Sequence, residues 1–115
     1  MQYMLLIYGD ERAAEGVPRE QMTETINAYM AYTQALHDAK VWVASNRLRP
    51  TSTATAVRSK DGQNKVIDGP FAETKEQLGG YYLIDVPDLD AALSWAERCP
   101  GARYGTVEVR PIWAM

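Results

Sequence analysis

Asp68, Glu73 and His37 are the candidates for acid–base chemistry that residue type and sequence context single out. Asp68 precedes Gly69-Pro70, and an Asp in this context either caps its own turn or, at the edge of a cleft, acts as a general base or anchors a ligand cation. Glu73 is either its partner carboxylate or an acid in the first turn of a helix. His37 lies at the border of an apolar helix stripe, which suits both a packed boundary side chain and a catalyst.

Arginine side chains could recognise an anion. Arg47 and Arg49 are expected on one face of a strand because side chains alternate along it. Two guanidinium groups so placed either clamp a carboxylate or phosphate, or they form ion pairs with Asp or Glu across the sheet. Arg58 is expected on a neighbouring strand. Arg110 alternates with Val109 and is expected to point toward an interface, where it would join either arrangement.

Large aromatic side chains also recur on the predicted strands. Seven tyrosines and three tryptophans occur in 115 residues, among them Tyr8, Trp42, Tyr82 and Trp113. Such side chains dominate buried area in cores and interfaces, and they also line apolar ligand pockets. The sequence leaves both interpretations open.

Periodicity predicts the elements that position these residues. An apolar run from Tyr3 to Tyr8 predicts a buried strand, and apolar residues at helical spacing predict a helix from Pro18 to about Lys40. Strands are predicted in VWVASNRLRP, TATAVRS and QNKVID, with a Lys60-Asp61-Gly62 turn between the last two. AETKEQL predicts a short helical turn, YYLIDV a strand, the segment after Asp88 a capped helix, and TVEVRPIW the last strand.

This order favours an α+β fold: one domain over residues 1–115, with a ferredoxin-like βαββαβ antiparallel sheet and two helices on one face. Apolar residues occupy both alternating sets of positions in the strands, Tyr3, Leu5 and Ile7 against Met4, Leu6 and Tyr8 in the first. Two helices cover only one face, so we expect a second copy to cover the other in a homodimer.

The amino-acid composition limits the classes of partner and cofactor that this protein can bind. Fifteen acidic and twelve basic residues give a net charge of -3, which argues against direct nucleic-acid binding. One cysteine and one histidine exclude an internal disulfide and a zinc site of the usual Cys/His type within one chain, and we expect no metal and no cofactor. The apolar run in MQYMLLIYGDE is too short to span a bilayer and lacks signal-peptide features, so a cytoplasmic protein without a membrane partner is expected.

Three segments together resemble the YCII-related proteins of the DGPF type. They are MLLIYGDE, LRPTSTATAVR and the long stretch DGPFAETKEQLGGYYLIDVPDLDAALSWAERCPGARYGTVEVRPIW. The most distinctive part is Asp68-Gly69-Pro70-Phe71 running into Glu73-Thr74-Lys75-Glu76. The resemblance implies a dimeric α+β barrel in which two ferredoxin-like sheets face each other, with clefts between sheet and loops.

The resemblance also implies two kinds of function. Many similar proteins are encoded beside, or fused to, extracytoplasmic-function sigma factors, whereas some relatives carry a His–Asp pair proposed as catalytic and a few act on lactone or chlorinated ring-cleavage products. Asp68 lies in the matching motif, and His37 is the one histidine that could pair with it.

The leading hypothesis is a small-molecule binding or regulatory protein serving a sigma-factor pathway. Its ligand site is expected near Asp68, Glu73, Arg49 and Tyr82, with Tyr8 and Arg110 at the sheet. The alternative is a cofactor-free isomerase or lyase-like enzyme that abstracts a proton from, or eliminates a group from, a small carbonyl or lactone compound, with Asp68 or His37 as base and an Arg stabilising the oxyanion. A third hypothesis is an interaction module that holds a sigma factor.

Overall fold

The computed structural model describes residues 1–70 and 72–114 and contains six strands and three α-helices within them. The strands are β1 (Gln2–Gly9), β2 (Trp42–Arg47), β3 (Thr55–Lys60), β4 (Gln63–Asp68), β5 (Gln77–Asp85) and β6 (Thr106–Pro111). The helices are α1 (Glu11–Ala14), α2 (Arg19–Asp38) and α3 (Leu89–Arg98), and short 3₁₀ turns cover Thr51–Thr53 and Pro100–Arg103. None of the helices in the described ranges has the length and hydropathy that crossing a membrane requires.

Local signals set the ends of the two long helices. Asp88 caps α3, since its Oδ1 accepts a hydrogen bond from the Ala91 N–H at 2.9 Å, as predicted. At the end of α2, Lys40 has a φ of 60°, and Val41 N–H donates to the Leu36 carbonyl at 3.1 Å. This is a Schellman motif with lysine in the position that usually holds glycine, and it turns the chain directly into β2.

Four strands form one antiparallel sheet in the order β2-β5-β1-β6. This is the predicted ferredoxin-like arrangement. One face packs on α2 and α3, because alternate residues of β1 and β5 lie in the same buried cluster as residues of both helices. The cluster comprises Tyr3, Leu5, Tyr32, Leu36, Tyr82, Ile84, Val86, Ala92, Ala96 and Cys99.

The opposite face of the sheet, called the open face below, has no element of the described chain packed over it as a layer. Register places Met4 beside Leu83 and Arg110, and Leu6 beside Tyr81 and Glu108. The central side chains of this face are partly buried by their neighbours, whereas Glu108 and Arg110 on the edge strand are exposed. The face therefore combines an apolar centre with a charged margin.

Strands β3 and β4 do not join the sheet. They pair only with each other, from Thr55 opposite Asp68 to Lys60 opposite Gln63, and the predicted turn is formed by Asp61 and Gly62, both with positive φ. No residue of either strand is buried. We call residues 55–68 the arm.

Candidate functional site

The three segments that carry the family resemblance meet at one end of the sheet. Glu11 N–H donates to Gln77 Oε1 at 2.9 Å, which joins the start of α1 to the start of β5. The Glu11 carboxylate accepts from Thr51 N–H at 2.8 Å and from Thr51 Oγ1 at 2.7 Å. Glu11 thereby holds the start of the Thr51–Thr53 turn, and with it the chain that leads into the arm.

The segment after the Asp-Gly-Pro-Phe motif is held at the same end by side chains. Thr106 Oγ1 on β6 donates to Glu76 Oε1 at 2.8 Å, and Gln77 Nε2 donates to the Thr74 carbonyl at 2.6 Å. The predicted helical turn in AETKEQL is wrong: residues 72–76 are irregular, and β5 begins at Gln77, before the glycine pair. Glu73 is exposed and is not a first-turn helix acid.

Asp68 is the last residue of β4, at the base of the arm. The next residue, Gly69, has a φ of 110° and donates its N–H to the Ala54 carbonyl at 2.6 Å. The Asp68 carboxylate accepts no hydrogen bond from the described residues, so the predicted side-chain cap is absent among them. Phe71 of the motif lies outside the described residues.

His37 lies at the other end of the molecule. Its ring stacks on Trp42, with centroids 4.3 Å apart and planes inclined by 28°. Trp42 pairs with Ile84 near the end of β5, whereas the base of the arm is tied through Glu11 to Gln77 at the start of β5. Seven residues of strand, about 23 Å, separate the two ends. Within one chain, His37 and Asp68 are therefore not brought together.

The predicted arginine pair is separated by the end of β2. Arg47 is the last residue of the strand, opposite Gly80, while Arg49 lies beyond it, so the two do not share a strand face. Both are exposed and line a concavity of about 250 Å³ with Leu48 and Pro50. Neither guanidinium makes an ion pair with the described residues, so the expected pairing across the sheet is absent from that part of the chain.

The remaining predicted ligand residues lie on opposite faces of the sheet. Tyr8 and Arg110 lie on the open face. Tyr82 is buried against α2, where its hydroxyl shares a 2.7 Å hydrogen bond with Thr33 Oγ1. Burial raises the pKa of Tyr82, while the hydrogen bond between Tyr82 and Thr33 acts in the opposite direction. Tyr82 is therefore part of the core beneath the site.

Polar groups that the sequence prediction missed stand on the open face. Asn46 Nδ2 donates to the Tyr81 hydroxyl at 2.8 Å, so two neighbouring strands present one linked polar pair. On the other side of Leu6, Glu108 occupies the paired position on β6. The available signal was strand alternation, which places Tyr81 and Tyr82 on opposite faces but does not say which of them faces the helices.

The described residues of the open face contain no assembled catalytic group of the predicted kind. A ligand on Leu6 would lie between the Asn46–Tyr81 pair and Glu108. Arg110 lies two residues further along β6, opposite Met4. Among the described residues, no three or more His, Cys, Asp or Glu side chains come together as metal ligands.

Comparisons with known proteins agree with this fold. An uncharacterised protein of Rhizobium meliloti (strain 1021) is 39% identical over 114 residues, which are 97% of this chain and 92% of that protein. The solved structure of 5-chloro-2-hydroxyhydroquinone dehydrochlorinase from Burkholderia phenoliruptrix AC1100, in complex with 2,5-dihydroxybenzoquinone, is similar with a TM-score of 0.53 at 11% identity. That similarity covers 98% of this chain and 94% of the other. The YCII-related domain matches residues 1–115, and the chain belongs to the YCII-related family.

Proposed function

We propose that this protein binds a small organic anion on the open face of its sheet, in a space closed by a second copy. The observation that carries the proposal is the composition of that face. Met4, Leu6 and Leu83 form an apolar floor, and the hydrogen-bonded Asn46–Tyr81 pair provides polar groups on it. Ligand sites typically combine an apolar lining with a few placed polar groups.

The charged side chains favour an anion. Arg110 lies on the open face, and its guanidinium makes no ion pair with the described residues. Arg49, which lies beyond the end of β2, also makes no ion pair with the described residues. An unpaired guanidinium offers a planar donor fork to a carboxylate or an acidic hydroxyl group, and Glu108 selects for a ligand that also carries a hydrogen-bond donor.

A homodimer formed through the open face is part of the same proposal. A partly buried apolar face on a small domain is a typical association surface, and a second sheet laid over it would remove water from the floor. An enclosed space of this kind strengthens polar contacts to a ligand. No feature of the described residues points to a sigma-factor pathway, so the proposal does not include one.

A cofactor-free enzyme is the second candidate, and a structural neighbour with dehydrochlorinase activity favours it. The reaction would be proton abstraction or elimination on a small carbonyl or lactone compound. Asp68 and His37 stand away from the open face of their own chain, so either base would have to be supplied across the dimer. Replacing Asp68 with Asn while folding is retained should abolish turnover if Asp68 is the base; unchanged turnover would exclude that role.

Titration calorimetry with 2,5-dihydroxybenzoquinone, a planar acidic compound, tests the binding proposal. We expect Arg110→Gln to weaken binding about tenfold, because a charge-assisted hydrogen bond is lost. Tyr81→Phe should weaken it less, since one neutral hydroxyl is removed. Arg103→Gln, on the exposed 3₁₀ turn, is the matched control and should bind as wild type does.

A metabolite library screened by thermal shift extends the test to other anions. A stabilising ligand whose effect survives both open-face substitutions would place the site elsewhere. Failure of every anion to bind the wild-type protein would contradict the proposal.

A further inference from the structure

The arm cannot be stable by its own packing. An isolated two-stranded hairpin is marginal in water, and neither strand of the arm contains a buried residue. Val57 and Val66 stand opposite each other and are 63% and 65% exposed, and Ile67 on the other face is 45% exposed. Both faces of the arm therefore present β-branched apolar side chains that need a partner.

The arm does not fold back over its own sheet. The described residues extend 47 × 44 × 19 Å, and a layer of helices about 10 Å across on one sheet accounts for the shortest extent. The arm thus projects within the plane of these layers. Its projection raises the radius of gyration to 16.1 Å, where a compact chain of this length would have about 13 Å. A surface that packs on the arm would therefore belong to another molecule.

The distribution of charge favours a second copy of this chain as that molecule. The arm contains three basic side chains, Arg58, Lys60 and Lys65, and two acidic side chains, Asp61 and Asp68, whereas the whole chain has a net charge of -3. The rest of the chain is therefore acidic. Arg58 and Lys65 are directly opposed across the hairpin, and both side chains are exposed. Glu108 supplies a negative charge at the margin of the open face.

We propose that the arm of each protomer packs on the second protomer and walls the open-face site there, so that each ligand site is built from two chains. This inference rests on the proposed location of the site, but its test needs no ligand. The Val57–Val66 face supplies the apolar contact, and the basic residues of the arm lie against Glu108 on β6. The base of the arm then brings Asp68 to the rim of a site that its own chain does not form.

The test combines sedimentation velocity with amide hydrogen exchange on the full chain at about 1 to about 100 µM. In the wild type we expect a dimer, with the amides of residues 55–68 and of β6 becoming more protected together as concentration rises. Val57→Glu with Val66→Glu should raise the dimer dissociation constant at least about tenfold and remove both protections. Circular dichroism establishes that the variant is folded, as expected for two exposed positions.

Met30→Glu is the matched control, because Met30 is an equally exposed apolar residue, 66%, on α2. It should dimerise as wild type does. A wild type that stays monomeric, an arm whose exchange is independent of concentration, or a double variant that dimerises undiminished would each overturn the inference. If the wild-type dimer shows the expected amide protection of the arm but binds no anion, that result would contradict the proposed function alone.

Discussion

Glu11 has a structural role that depends on a residue 40 positions along the chain. Its carboxylate accepts two hydrogen bonds from Thr51, while its own N–H is bound by Gln77. A carboxylate at the start of a 3₁₀ turn satisfies an N–H that otherwise lacks a partner. Glu11 thus connects the end of β1 to the root of the arm.

Replacing Glu11 with Ala should lower the free energy of unfolding by about 1–2 kcal/mol, because the Thr51 N–H loses its acceptor in a partly buried position. Urea denaturation measures the change. Glu15→Ala, at an exposed position whose side chain makes no hydrogen bond within the described residues, is the control and should stay near wild type. When Glu11 is already Ala, Thr51→Val should lower the free energy of unfolding little further. Additive losses in the two single variants and the double variant would contradict the pairing of Glu11 with Thr51.

At the scale of elements, Gly80 determines how closely β2 approaches β5. A Cβ at residue 80 would lie 2.8 Å from the Asn46 carbonyl oxygen and 3.5 Å from Arg47 Cα, both backbone atoms. Neither atom can move without displacing β2. At Gly79 a Cβ would meet only the Ile7 carbonyl oxygen, at 3.8 Å, which is an ordinary contact.

The neighbouring glycines give a matched pair of substitutions. Gly80→Ala should destabilise the fold by about 1–3 kcal/mol, because β2 must shift away from β5 and carries Asn46 and Arg47 with it. Gly79→Ala should change stability by less than about 1 kcal/mol. Thermal unfolding compares the two. Equal melting temperatures for both variants would show that β2 is not held against Gly80.

At the scale of the whole molecule, four groups in or against the core link stability to alkaline pH. Burial raises the pKa of Cys99, and burial first, then the neighbouring Cys99, raises the pKa of Tyr29 and of Tyr32. Tyr82 shifts in the same direction. The Tyr32 hydroxyl donates to the Trp95 carbonyl at 2.7 Å, which joins α2 to α3. These groups keep their protons in the folded protein at pH values where the unfolded chain loses them.

The contribution of these groups to the free energy of unfolding should therefore be fully present below about pH 8.5, the ordinary thiol pKa, and should fall as the pH rises above it. Above about pH 10 the unfolded tyrosines ionise as well, and the fall should steepen. Urea unfolding at a series of pH values measures this. Cys99→Ala should delay the onset toward the tyrosine range, and a flat profile through about pH 10.5 would contradict the assignment.

Sequence patterns alone determined the local elements of this protein. The helical spacing predicted α2, Asp88 predicted the start of α3, and Asp61-Gly62 predicted the hairpin turn, because each signal acts within a few residues of chain. Strand order followed from the order of these elements, since few arrangements close such a chain. The family resemblance rested on segments that are continuous in the sequence.

Only the tertiary structure decided what depends on distant residues. It separated the arm from the sheet, and it placed Tyr82 in the core and Tyr81 on the open face. It also left residues 72–76 without helix or strand. Thr74 and Gln77 lie in the segment for which the sequence predicted a helical turn. Their hydrogen bond instead joins loop and strand at the end of the sheet, where Glu11 and Thr106 also form hydrogen bonds. Hydrogen bonds and packing between residues tens of positions apart leave no local pattern, so the site they build is visible only in three dimensions.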